Sequence, residues 1–238
     1  MDGKTDSQRQ VMKNALFAFL LIALITCVGS AQNAKPWFEW TKEDVDKVLN
    51  KSAWGHTVVN TDTSQMTVVF GQARSGQGAT NQEMNSSYHI MFFSALPIRE
   101  AFSRRVLLNN PTIKPAQLQS FVIGDYSDEI VIAVTYECTD RRYLATMEEA
   151  FNSATTENLQ RKVYLELKDG KHVLMNQYAR ATKDGTGAKF VFPRYSGKQP
   201  FVSDDNEVLR FVAILGSGVQ VSWRFKVSDM TYNGKVEF

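Results

Sequence analysis

The side chains able to do acid–base, nucleophilic or metal chemistry are few and scattered. There are three histidines, His56, His89 and His172, each more than 30 residues from the next, with no paired spacing such as HExxH that would set two imidazoles on one helix face. Cys138 ends a strand-like run with no histidine near it in sequence to draw off its proton, so it reads as a small half-buried side chain, not a nucleophile. Gly71-Gln72-Ala73-Arg74-Ser75-Gly76-Gln77-Gly78 begins with the glycine spacing of a phosphate loop. It then places Gln77 and Gly78 where the phosphate lysine and the magnesium hydroxyl are required. Gly216-Ser217-Gly218 joins two strands and lacks the glycine spacing of a nucleophile elbow. Carboxylates cluster at Glu43-Asp44-Asp46, Asp125-Asp128-Glu129, Glu148-Glu149 and Asp204-Asp205-Glu207, and the last reads as a polar turn because it lacks the glycine and terminal glutamate of a calcium loop. The expectation is therefore no catalytic residue, no metal ligand and no cofactor. His56, beside Trp54 and Gly55, is the first candidate if chemistry is present.

Trp37, Trp40 and Trp54 support two readings. They pack beside an amphipathic helix, or together with His56 they form an interaction surface. The helix in question is expected over 42–51. Thr41 and Asp44 have the spacing of a capping box, and Val45, Val48 and Leu49 fall on one stripe.

Further helices are expected over 97–108, with Pro97 in the first turn, and over 141–153, with Leu144, Met147, Ala150 and Phe151 on one side. Strands are expected at 57–59, 66–72, 88–94 and 129–137, the last apolar on both faces and so central in its sheet. Val163, Leu165 and Leu167 alternate with polar residues, and Asp169-Gly170 turns the chain into a return strand over 172–178. A second hairpin runs from Leu209 through Gly216-Ser217-Gly218 to Val227, and Asn233-Gly234 makes a final turn. Such alternation belongs to antiparallel sheet. The fold class expected is α+β, largely antiparallel and hairpin-rich, with two or three packed helices.

Residues 1–31 have the three parts of an export signal: a polar start with Arg9 and Lys13, an apolar run over 15–28, and the small residues Gly29-Ser30-Ala31. The run is shorter than the roughly 20 residues that cross a bilayer. Cleavage after Ala31 is expected, leaving one α+β domain over 32–238. Two alternatives are lipidation at Cys27 after the degraded lipobox Leu24-Ile25-Thr26, where Thr26 departs from the usual small residue, and a retained anchor. Membrane contact arises only through this segment. With 27 basic and 25 acidic residues the net charge is +2, and arginine pairs 104/105 and 141/142 read as solvated faces, so nucleic acid is not an expected partner. Asn85-Ser86-Ser87 is a glycosylation sequon.

The stretch Trp40-Thr41-Lys42-Glu43-Asp44-Val45, with Leu49 and Trp54, and the ending from Phe225 to Lys235 resemble uncharacterised exported bacterial proteins. That resemblance implies export and a bacterial source, and carries no activity. The function expected is a non-catalytic binding protein of the periplasm, envelope or extracellular space, acting on a protein or small ligand. The alternatives are a structural subunit of a surface assembly, and a hydrolase or metal-dependent enzyme built from the scattered histidines and carboxylates.

Overall fold

Strands that alternate apolar and polar residues have one face to cover, and the chain covers those faces by packing two antiparallel sheets against each other. The computed structural model describes residues 35–62, 84–203 and 207–238. The export segment with Cys27, the strand expected at 66–72, the loop at 71–80 and the pair Asp204-Asp205 lie outside the described residues.

The larger sheet has five strands in the order β1 (Gly55–Asp62), β2 (Met84–Phe92), β3 (Glu129–Cys138), β7 (Ala188–Pro193) and β6 (Gln177–Ala179). The second has four, ordered β11 (Gln220–Lys226), β10 (Val208–Ile214), β4 (Val163–Glu166) and β5 (His172–Leu174). Two small hairpins, β8–β9 (Tyr195–Ser196 with Gln199–Pro200) and β12–β13 (Thr231–Tyr232 with Lys235–Val236), complete the strands. The fold is α+β with a hairpin-rich antiparallel sheet, as the alternation implies. As expected, β3 is central, and Ile130, Ile132 and Val134 on one side and Val131 and Ala133 on the other are all buried.

Because side chains alternate along a strand, the even-numbered residues of β2 and β3 share one face. That face meets the four-stranded sheet. Phe92 packs edge-on to Phe225 at 4.7 Å between centroids, and Phe190 lies 5.5 Å from Phe211. Each fully buried phenylalanine contributes roughly 1.5–3 kcal/mol relative to exposure.

The helices expected from the sequence form as α1 (Lys42–Asn50), α2 (Leu96–Asn109) and α4 (Arg141–Asn152). The capping box of α1 is complete: the Asp44 amide donates to Thr41 Oγ1 at 3.1 Å, and the Thr41 amide donates to Asp44 Oδ2 at 2.9 Å. Two short helices are additional, α3 (Pro115–Val122) and α5 (Thr156–Leu159), so five α-helices stand among the described residues where two or three were expected. Both open on local capping contacts, Lys114 N–H to Gln117 Oε1 at 2.8 Å and Asn158 N–H to Thr155 Oγ1 at 3.3 Å. Helices α1 to α3 cover the odd-numbered face of the large sheet, where Phe93 meets Phe102 and Phe121. Helix α4 lies on the other face, stacking Phe151 on Tyr136 at 4.7 Å.

The return strand expected over 172–178 is divided. His172–Leu174 stays with β4, but the Asn176 amide donates to Val191 O, and Gln177–Ala179 joins β7 in the other sheet. Met175 is fully buried at the crossing, and the alternating strand β7, not anticipated from sequence, is the partner that captures β6.

Candidate functional site

A cleft of about 320 Å³ opens between α1 and the helix-side face of the large sheet. Its floor follows from strand register. Thr57, His89 and Thr135 are directly opposite one another on β1, β2 and β3, so three polar side chains form one row across the sheet. Thr57 Oγ1 and His89 Nδ1 share a hydrogen bond of 2.8 Å, which fixes the ring and leaves Nε2 toward the Glu137 carboxylate, 3.9 Å away. The imidazole is half-buried while Glu137 stays largely in solvent.

The roof is the last turn of α1, bearing Asp46, Leu49 and Asn50. Gly55 brings it close. A Cβ at that position would stand 2.2 Å from the Leu49 carbonyl oxygen, so only glycine lets β1 start directly beneath the helix end. Ser52 ties the same corner by donating to Val48 O and accepting from the Gly55 amide.

Arg105 of α2 closes the cleft. Its guanidinium lies 4.5 Å from the Phe102 ring centroid and donates to Gly185 O at 3.0 Å. Burial lowers its pKa, opposed by the charges of Asp46 and Asp184. The loop carrying Gly185 is held by Asp184, which accepts from both the amide and the hydroxyl of Thr186. Gly187 follows at φ +87°, where a Cβ would come within 2.5 Å of Val134 O. The arginine pair 104/105 is thus a packing element and not a solvated face, since Arg104 Nε also donates to Trp40 O at 2.6 Å. Arg142, in contrast, is exposed, and its guanidinium pairs with Asp140 at 3.3 Å.

The residues proposed from sequence as an interaction surface are all used in packing. Trp37 is buried against Leu107 and Val122, with Trp40 beside it. Trp54 donates its indole N–H to Glu237 O at 2.6 Å and meets Tyr232 edge-on. His56 stacks on Trp223 at 3.6 Å, and burial lowers its pKa below the ordinary 6.5.

The three histidines are not brought together. His56 and His89 face opposite sides of the large sheet, being opposite Ile90 and Thr57 respectively, and His172 stands on β5 of the other sheet near Tyr164. Among the described residues no group of three or more His, Cys, Asp or Glu is placed to hold a metal. Cys138 lies on the opposite face from His89. In the sequon, Asn85 and Ser86 lie on β2, and Ser86, paired with Asn60 on β1 and Cys138 on β3, is buried. No helix among the described residues is long and apolar enough to cross a membrane.

The cleft offers an imidazole nitrogen, two carboxylates and a guanidinium around a space at the small end of ligand sites. Compared with known protein families, with curated proteins and with solved structures, the chain finds no match in any of the three.

Proposed function

We propose that this chain is an exported, non-catalytic binding protein whose ligand is a small polar molecule bearing both charges, held in the cleft beneath α1. The observation that carries the reading is the Thr57–His89–Thr135 row, which orients one imidazole toward a cleft lined by the Glu137 carboxylate, by Asp46, whose carboxylate also holds Lys42 at 3.0 Å, and by the Arg105 guanidinium. A guest with an ammonium and a carboxylate satisfies both sets at once. Export is supported by the apolar run over 15–28 and the small residues that follow it.

Calorimetric titration with amino acids and dipeptides as probes, against uncharged isosteres, tests the ligand class. A zwitterionic probe is expected to bind saturably and to lose at least about tenfold in affinity in His89→Ala. Equal binding by wild type and variant, or binding of the uncharged isosteres alone, overturns it. Intact mass from the native host tests export, with a chain starting at Gln32 expected and a cytoplasmic chain starting at Met1 contrary to it.

A further inference from the structure

The outer face of the four-stranded sheet shows a charge arrangement that packing does not explain. Leu209, Phe211 and Ala213 of β10 point into the core, so Arg210 between them points outward. Its register partners are Glu166 on β4 and Arg224 on β11. Two arginines directly opposite each other on adjacent strands repel, at a cost of about 0.2–1 kcal/mol.

Arg210 is partly satisfied, donating from Nε to Ser222 Oγ at 3.3 Å and from Nη1 to Glu166 Oε2 at 3.2 Å. These two contacts fix its guanidinium plane. Arg224 is exposed and has no ion-pair or hydrogen-bond partner among the described residues. The neighbouring lysines differ in the same way. Lys171 and Lys226 hold their own carboxylates, Asp169 at 2.7 Å and Asp229 at 3.1 Å. The exposed ammonium of Lys168 has no carboxylate within ion-pair distance among the described residues, although its backbone amide donates to Glu207. Lys168, Arg210 and Arg224 line one groove of about 410 Å³, with Glu166 as its acid.

We propose that this groove is a binding site for a phosphate monoester, held by Arg224 and Lys168 and oriented by Arg210. Three cations against one carboxylate line the groove, and the Glu207 carboxylate at its edge is already engaged by the Lys168 amide, so the excess of positive charge suits the roughly −1.5 to −2 of a phosphate monoester near neutrality. The guanidinium of Arg224 offers two parallel donors to two phosphate oxygens. A dianion between Arg210 and Arg224 also removes their repulsion. The site lies on the other sheet from the cleft beneath α1 and does not depend on that reading.

The test is titration of the full chain at low ionic strength with phenyl phosphate, inorganic phosphate and benzoate as probes, and with phosphatidylcholine vesicles with or without phosphatidic acid. Saturable binding of the phosphates is expected, with benzoate at least about tenfold weaker. Arg224→Gln is expected to weaken phosphate binding at least about tenfold, and Arg224→Lys to restore only part, because the fork is lost while the charge remains. Vesicle binding abolished by Arg224→Gln assigns the phosphate to a lipid headgroup, and binding of soluble phosphates alone assigns it to a soluble ester. Arg224 is itself exposed, and Arg224→Gln is expected not to lower the thermal midpoint, so lost binding is not lost folding. The proposal is overturned if no phosphate probe saturates, if benzoate binds within twofold of phenyl phosphate, or if Arg224→Gln binds as wild type does.

Discussion

Two arginine-centred regions of this molecule have similar sequence chemistry and opposite physical status. In α2, Arg99 and Glu100 are consecutive charges in a helix whose first two turns are buried. Arg99 donates from Nε to Val122 O at 2.8 Å, donates also to Ser94 O, and lies under the Tyr126 ring, while Glu100 accepts from the Tyr232 hydroxyl at 2.5 Å. On β10 and β11, Arg224 is exposed and Arg210 half-buried, and the one carboxylate of their row, Glu166 on β4, stands on the far side of Arg210 from Arg224. Burial forces every charge in the first region to find a fixed partner, because an uncompensated ion in the interior costs several kcal/mol. Solvent places no such demand on the second, so its leftover cation points to use and not to folding.

The comparison breaks first at Arg99. Arg99→Met keeps the volume but strands the Val122 and Ser94 carbonyls and removes a cation whose charge acts on Glu100, so a loss of about 3–5 kcal/mol is expected in chemical denaturation. A loss below about 1 kcal/mol would place the two arginine regions in the same class.

Glu100 sharpens the contrast through pH. Burial raises its carboxyl above the ordinary 4.5, against the lowering effect of the Tyr232 hydrogen bond and the Arg99 charge. A raised folded-state pKa means that the folded chain holds this proton longer than the unfolded chain. The associated stability is complete below about pH 4.5 and is lost as pH rises through the folded value. Relative to Glu100→Gln, the wild-type thermal midpoint is therefore expected to fall with rising pH in that interval. A difference that stays flat with pH would show Glu100 to be solvated as Arg224 is.

Local signals in the sequence proved legible and partner choice did not. Thr41 and Asp44 are three residues apart and cap α1 without help from elsewhere. Asp169-Gly170 and Asn233-Gly234 make their turns with Gly170, Asn233 and Gly234 at positive φ, as short hairpin connections demand. Two readable segments were missed: Pro115 opens α3 at a position where a missing N–H costs nothing, and Ala188–Pro193 alternates buried and half-buried residues. The division of 172–178 between two sheets had no local signal, since it depends on Val191 being in reach of Asn176. The candidate site was hidden for the same reason. His89 was visible as a lone histidine, but its alignment with Thr57 and Thr135 exists only once three strands are in register. Arg104 and Arg105 looked like surface charge because their acceptors, the Trp40 and Gly185 carbonyls, lie 64 and 80 residues away.

Within α2 a smaller effect separates a partnered polar group from an unpartnered one. Ser103 is buried, and its hydroxyl finds no hydrogen-bond partner among the described residues. An unsatisfied buried hydroxyl costs about 1–3 kcal/mol, so Ser103→Ala is expected to stabilise the chain by about 1 kcal/mol in the same denaturation assay. Destabilisation would mean that the hydroxyl is paired after all, and that burial in this helix tolerates no exception.

The smallest change is expected at Arg224, where the argument for a binding surface is most exposed to refutation. If Arg224 contributes to folding, removing it should cost stability as any paired surface charge does. Opposite Arg210 it does the reverse, because two like charges on adjacent strands repel and Glu166 neutralises only one of them. Arg224→Gln without ligand is therefore expected to shift stability by no more than about 0.5 kcal/mol, in the favourable direction, and the gain should shrink as salt screens the pair. A residue that folding would rather lose, set beside one that folding has fixed through Ser222 and Glu166, is an arrangement that an incoming anion completes.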